Sequence, residues 1–164
     1  MTRQKIIKIF IIIFIIAILI GTFEFFFARH IIISKNIEIN IPLSAKVESI
    51  DTHGGLHMDG EMLAKVYFTD RQAEKMIEKI KINEHWRELP MMEKLQEVIT
   101  FNTDKSMKFP IIENGYWFYL DRHTEADNKY DEYERYKEER YSTNYSVAVY
   151  DIDSNVLYYY ELDT

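Results

Sequence analysis

Residues 9–28 constrain this chain more than any other segment. Arg3, Lys5 and Lys8 precede an uncharged run over 9–23, built almost wholly of Ile, Phe, Leu and Ala. Glu24 interrupts the run, and residues 25–28 resume it. At about 1.5 Å per residue, a helix over 9–28 is about 30 Å long, the thickness of a bilayer's hydrocarbon core. The sequence therefore predicts an N-terminal transmembrane anchor over residues 1–30, followed by one outer domain over 31–164. Basic residues ahead of the run favour a cytoplasmic N-terminus. That expectation places the chain in the cell membrane, single-pass, held through residues 9–28 with its C-terminal domain outside. Glu24 would sit near the outer end, where a carboxylate can reach the headgroups. A cleaved signal peptide fits less well, because cleavage wants small residues one and three positions before the cut. Phe26 and Leu19 stand at the minus-three position of the two candidate cuts, and there is no Cys to carry a lipid.

The outer part is one domain's worth of chain. The absence of Cys excludes a disulfide framework and thiolate metal sites. From residue 30 onward, 16 Lys and Arg stand against 26 Asp and Glu. Such a surface repels nucleic acid and suits cationic partners or divalent ions, and it also serves plain solubility.

Hydrophobic periodicity gives the elements. Residues 31–41 are β-branched, and Ile37, Ile39 and Ile41 alternate with Glu38 and Asn40, which predicts a strand ending at Pro42. Strands are also predicted over 45–51 and 61–68, joined by a turn-rich connection over 52–60 with three glycines. Thr69 and Gln72 form a capping box ahead of a helix over 70–82, whose Ala73, Met76, Ile77 and Ile80 share one face. Pro90 suits the first position of a second helix with Met91, Met92, Leu95, Val98 and Ile99 as its apolar stripe. Trp86 and Leu89 are expected to pin the joint. Further strands are predicted over 116–121, 145–150 and 156–162, with Asp151 to Asn155 as a turn. The charged stretch 125–140 reads as a short solvated helix or a loop. The fold class is α+β: after the transmembrane helix, one small domain with an antiparallel sheet and two helices packed on one face.

Three segments together resemble a family of small, uncharacterised proteins from Gram-positive bacteria. They run from Asp51-Thr52-His53-Gly54-Gly55 to Asp59-Gly60, from Gly115-Tyr116-Trp117 to Asp121-Arg122-His123, and from Tyr158-Tyr159-Tyr160 to Asp163-Thr164. Leu56 and Met58 stand where the family pattern has Phe and Gly. The resemblance spans roughly residues 45–164 and implies kinship, with no catalytic role to carry over.

Two groups of residues are candidate sites. Asp51, His53, His57 and Asp59 place two imidazoles and two carboxylates in one loop, a donor set for Zn²⁺ or another divalent ion, with Asp121 and His123 as further ligands. The metal candidates are His53, His57, Asp59 and His123. Their spacing matches no known zinc motif, and the bland alternative is a glycine-shaped turn whose imidazoles bond to local backbone. No other cofactor is implied. Acid–base chemistry by His57 or His123 suits their pKa, but no nucleophile accompanies them. Asp151, Asp153 and Asn155 start like a calcium loop, yet Val156 and Leu162 stand where Gly and Glu belong, so a hairpin turn is expected. Eleven of the twelve Tyr lie at or after residue 116. Tyr130, Tyr133, Tyr136 and Tyr141, set among charges, are the candidate partner-binding residues. There is no phosphate loop, nucleophile elbow or H-E-x-x-H. The sequence favours a module that binds a protein, peptide or envelope partner over an enzyme, with a metal-dependent hydrolase built on loop 51–60 as the alternative.

Overall fold

The computed structural model describes residues 3–54, 59–102, 109–124, 126–133 and 141–164. For residues 3, 4, 6–8, 19, 20, 23–26, 98, 101 and 102 it describes the backbone alone. The chain opens with α1 (Arg3–Asn36), then the hairpin β1 (Lys46–Asp51) and β2 (Gly60–Tyr67). Helix α2 (Asp70–Ile82), strand β3 (Trp86–Glu88) and helix α3 (Glu93–Asn102) follow. The last three elements are strands β4 (Gly115–Asp121), β5 (Tyr145–Asp151) and β6 (Val156–Asp163).

The six strands make one antiparallel sheet in the order β1-β2-β6-β5-β4-β3. The C-terminal strand thus lies inside the sheet, joining the β1–β2 hairpin to the β3–β4–β5 block. Side chains alternate between the two faces. On one face Met62, Ala64, Val66, Phe118, Ala148, Tyr150 and Leu157 meet Ile33 of α1, Ile37 just past its end, and Ala73, Met76 and Ile80 of α2. On the other, Leu63, Trp117, Tyr119, Val147, Val149 and Tyr160 meet Leu95 and Ile99 of α3. The α+β class and the antiparallel sheet agree with the sequence, but the helices do not share a face. Strand β3 carries the chain to the far edge after α2, so α3 returns on the opposite side.

Helix α2 starts as its sequence dictates. The Gln72 side chain accepts the Thr69 backbone N–H at 2.9 Å, and the buried positions repeat every three to four residues. Pro90 does not open a helix. It follows β3 through a cis Leu89–Pro90 bond, and α3 begins three residues later. The turn after β5 is as expected: Asp151 accepts the Asp153 N–H at 3.0 Å and the Ser154 hydroxyl at 2.6 Å.

The N-terminal reading needs the larger correction. Among the described residues no helix is long and apolar enough to cross a membrane. This overturns the single-pass anchor expected over residues 9–28, and the membrane placement that followed from it. By His30 and Ile33, both buried, the helix is already packing on the domain. It passes residue 30 without a break and ends only at Asn36. The strand expected over 31–41 is therefore the last turns of α1 and a tight exit, with Glu38 in the left-handed region at φ 59°. Ile37, Ile39 and Ile41 are all buried, so their alternation marks a core-facing segment of another backbone shape.

Candidate functional site

The end of the sheet beneath α1 gathers charged groups from four parts of the chain. Asp51 closes β1. One of its oxygens, Oδ1, accepts the His53 backbone N–H at 3.0 Å and faces His53 Nδ1 at 2.6 Å. The other, Oδ2, pairs with Arg29 of α1 at 2.6 Å. The sharp bend that lets His53 fold back needs Gly60. That residue has φ +156°, and a Cβ there would lie 2.5 Å from His53 Cα. Only a residue without a side chain lets β2 start this close behind the loop.

Strand β6 supplies the opposite wall. Tyr159, Glu161 and Asp163 are two residues apart and so share one face. Arg122, just past β4, reaches across to both carboxylates: Nη1 lies 2.9 Å from Glu161 Oε1, and Nη2 lies 2.8 Å from Asp163 Oδ1. The Tyr159 hydroxyl donates to Glu161 Oε2 at 2.6 Å and accepts from Asn36 Nδ2 at 2.7 Å. Burial, reinforced by the neighbouring Glu161, pushes that phenol well above its ordinary range. Asn36 also donates to Glu161 at 3.3 Å, so α1 is fastened to the site at both Arg29 and Asn36.

His53 lies between the walls. Its Nε2 is buried and 3.2 Å from Asp163 Oδ2, yet the contact is not aligned as a hydrogen bond. Ligand atoms of His53, Glu161 and Asp163 all lie within 4.8 Å of one another. Of the three expected metal ligands among the described residues, only His53 is in this group. Asp59 is exposed and receives the Gly54 N–H on its backbone carbonyl. His123 is buried beside Asp121, to which its backbone N–H donates at 2.9 Å. His57 lies outside the described residues. Glu161, Asp163 and Arg122 were not singled out as ligands from the sequence. Three sequence segments each contribute to this one cluster: Asp51 and His53 from 51–60, Arg122 from 115–123, and Tyr159, Glu161 and Asp163 from 158–164.

The tyrosine candidates separate. Tyr130 stacks on His85, with ring centroids 3.4 Å apart, and donates its hydroxyl to Glu38 at 2.6 Å. Burial, and then the bond to Glu38, push its phenol up to about 12. It closes the edge of the core, meeting Phe118 edge-on at 6.2 Å. Tyr133 and Tyr141 are exposed, 61 % and 99 %. Tyr136 lies outside the described residues.

Burial opposes ionisation of Asp51, but the N–H and ring of His53 and the charge of Arg29 outweigh it and hold the carboxyl below its ordinary 3.8. A depressed carboxyl stabilises the fold above its unfolded pKa, and that contribution is lost as pH falls through the folded value. Asp51→Asn is therefore expected to cost about 1–2 kcal/mol near neutral pH. Its stability should also fall less steeply than the wild type's below pH 3.8. Urea unfolding across acid pH checks both.

No protein-family model, curated protein or solved structure matches this chain.

Proposed function

We propose that the chain is an interaction module that works by holding a partner rather than by transforming a substrate. One observation supports this above the others. The large apolar side chains of α1 between Ile9 and Ile18 are 44–69 % exposed, on every side of the helix. Together they offer on the order of 1,000 Å² of apolar surface, as much as one partner contributes to an ordinary stable interface. A helix apolar all round is a helix covered by something else. The acidic remainder of the chain keeps the folded domain apart from other copies, so the helix is the surface free to associate. The occupant that fits an all-round apolar helix is more of the same: α1 of further copies, packed as a bundle. Exposed Tyr133 and Tyr141 remain available for a second contact.

The test is light scattering on the eluted full chain, beside an Ile12→Asp/Ile16→Asp variant. The wild type is expected as an assembly of several copies, and the variant as a 19.7 kDa monomer. A wild type that stays monomeric, in buffer or held singly by lipid vesicles, overturns the reading.

A further inference from the structure

We infer that His53, Glu161 and Asp163 form a binding site for a divalent transition-metal ion of the zinc type, with Asp51 and Arg122 positioning the ligands. The inference stands independently of α1 self-association. Charge is the first argument. Three carboxylates (Asp51, Glu161, Asp163) face two guanidiniums, Arg29 and Arg122. With a neutral His53, one negative charge is left in a partly buried site, and such a charge calls for a cation.

Geometry is the second. Asp51 takes the Nδ1 side of the ring, which leaves Nε2 as the donor atom turned to the two carboxylates. A ring nitrogen fixed from behind by a carboxylate is the usual arrangement of a metal-bound histidine. Among the described residues Nε2 has no hydrogen bond, and a proton placed on it would lie off the line to Asp163 Oδ2. The 3.2 Å between those two atoms instead matches neighbouring ligands of one ion. Two donors each about 2.0–2.1 Å from Zn²⁺, at a right to tetrahedral angle, lie about 2.9–3.4 Å apart.

Supporting contacts are the third. Arg122 binds Asp163 Oδ1 and Glu161 Oε1, while Tyr159 and Asn36 bind Glu161 Oε2. Oε2 is filled by its two donors, whereas Glu161 Oε1 and the Asp163 oxygens keep a second lone pair for a metal, with their orientation set in advance. The His53 and Asp163 side chains are 13 % and 26 % exposed. Nitrogen and oxygen donors without thiolate suit Zn²⁺, and three protein ligands leave a fourth position open.

The experiment is calorimetric titration of Zn²⁺ into the chelator-stripped full chain, repeated with Co²⁺ while recording its visible absorption. One ion per chain is expected, with binding that weakens as pH falls, because His53 must be deprotonated to ligate. His53→Gln should abolish saturable binding. Asp51→Asn, which keeps all three ligands, should weaken it about 10- to 100-fold. If His53→Gln fails to fold by circular dichroism, Asp163→Asn takes its place with the same expected loss. Absence of saturable binding to the wild type overturns the site, and so does wild-type affinity in a folded ligand variant. Because the readout is metal stoichiometry, failure here leaves the mass measurement on α1 unaffected.

Discussion

Arg122→Ala is expected to lower the free energy of unfolding by about 3–5 kcal/mol, the scale for removing one partner of a buried ion pair. The guanidinium is the shared counter-charge of two carboxylates on β6, 2.9 Å from Glu161 and 2.8 Å from Asp163. Glu161 is nearly inaccessible, with 8 % of its side chain exposed. Without Arg122 it keeps the Tyr159 hydroxyl and Asn36, but no positive charge. Arg122 also reaches the carbonyl of Leu162 at 3.3 Å, holding the loop after β4 onto β6. Lysine should not substitute, because a point charge cannot span both carboxylates as the planar fork does. Urea unfolding gives the loss. An Arg122→Met/Glu161→Gln pair, which removes the guanidinium and the more buried of its two carboxylates, should recover part of it, Asp163 still lacking its Arg122 partner. If Arg122→Ala costs under about 1 kcal/mol, the pair behaves as a solvated surface contact and the buried-charge account is wrong.

Phe118→Ala is expected to cost about 3–5 kcal/mol as a cavity in the α1–α2 face of the sheet. Phe118 is fully buried and lies opposite Ala148 on β5, whose methyl group cannot fill the space left behind. Its ring sits 5.5 Å from Trp86 and 6.2 Å from Tyr130. A second signal follows. Tyr130 owes its phenol value of about 12 first to burial. Opening the space beside it should bring ionisation down toward the ordinary 10. The raised value means the phenol's contribution to stability is complete below pH 10 and lost as pH climbs through 12. Alkaline absorbance titration, with Tyr130→Phe as the reference, reads the shift. A variant losing less than about 1.5 kcal/mol would mean that the core repacks into the gap.

Helix α2 was legible because its signals are local: Thr69 and Gln72 at the start, then an apolar residue every three or four positions. Strands β1, β2, β4, β5 and β6 lie within a residue of their sequence assignments, since alternation and turn residues bracket each one. Residues 31–41 misled because a β-branched run with alternating Ile satisfies a strand template. What decided otherwise was the continuation of α1 through Ile33 to Asn36, with the Ile37 N–H still bonded to the Ile33 carbonyl and both side chains buried. The face taken by α3 was invisible, because it follows from where β3 attaches, a non-local pairing. The site was half legible. His53 and Asp51 stood out as unusual residue types in a glycine loop. Glu161 and Asp163 read as the polar half of an ordinary strand until the sheet order placed them against β2 and the loop before it.

That order also sets when the protein can exist. Strand β6, which follows the other five in sequence, is the seam between the two halves of the sheet, with β2 on one side and β5 on the other. While synthesis proceeds, the β1–β2 hairpin and the β3–β4–β5 block each carry an unpaired edge, and those edges can pair wrongly. Only when residues 156–163 leave the ribosome can the seam close. The same residues carry Tyr159, Glu161 and Asp163, so a nascent chain has neither a continuous sheet nor a site until β6 has been made.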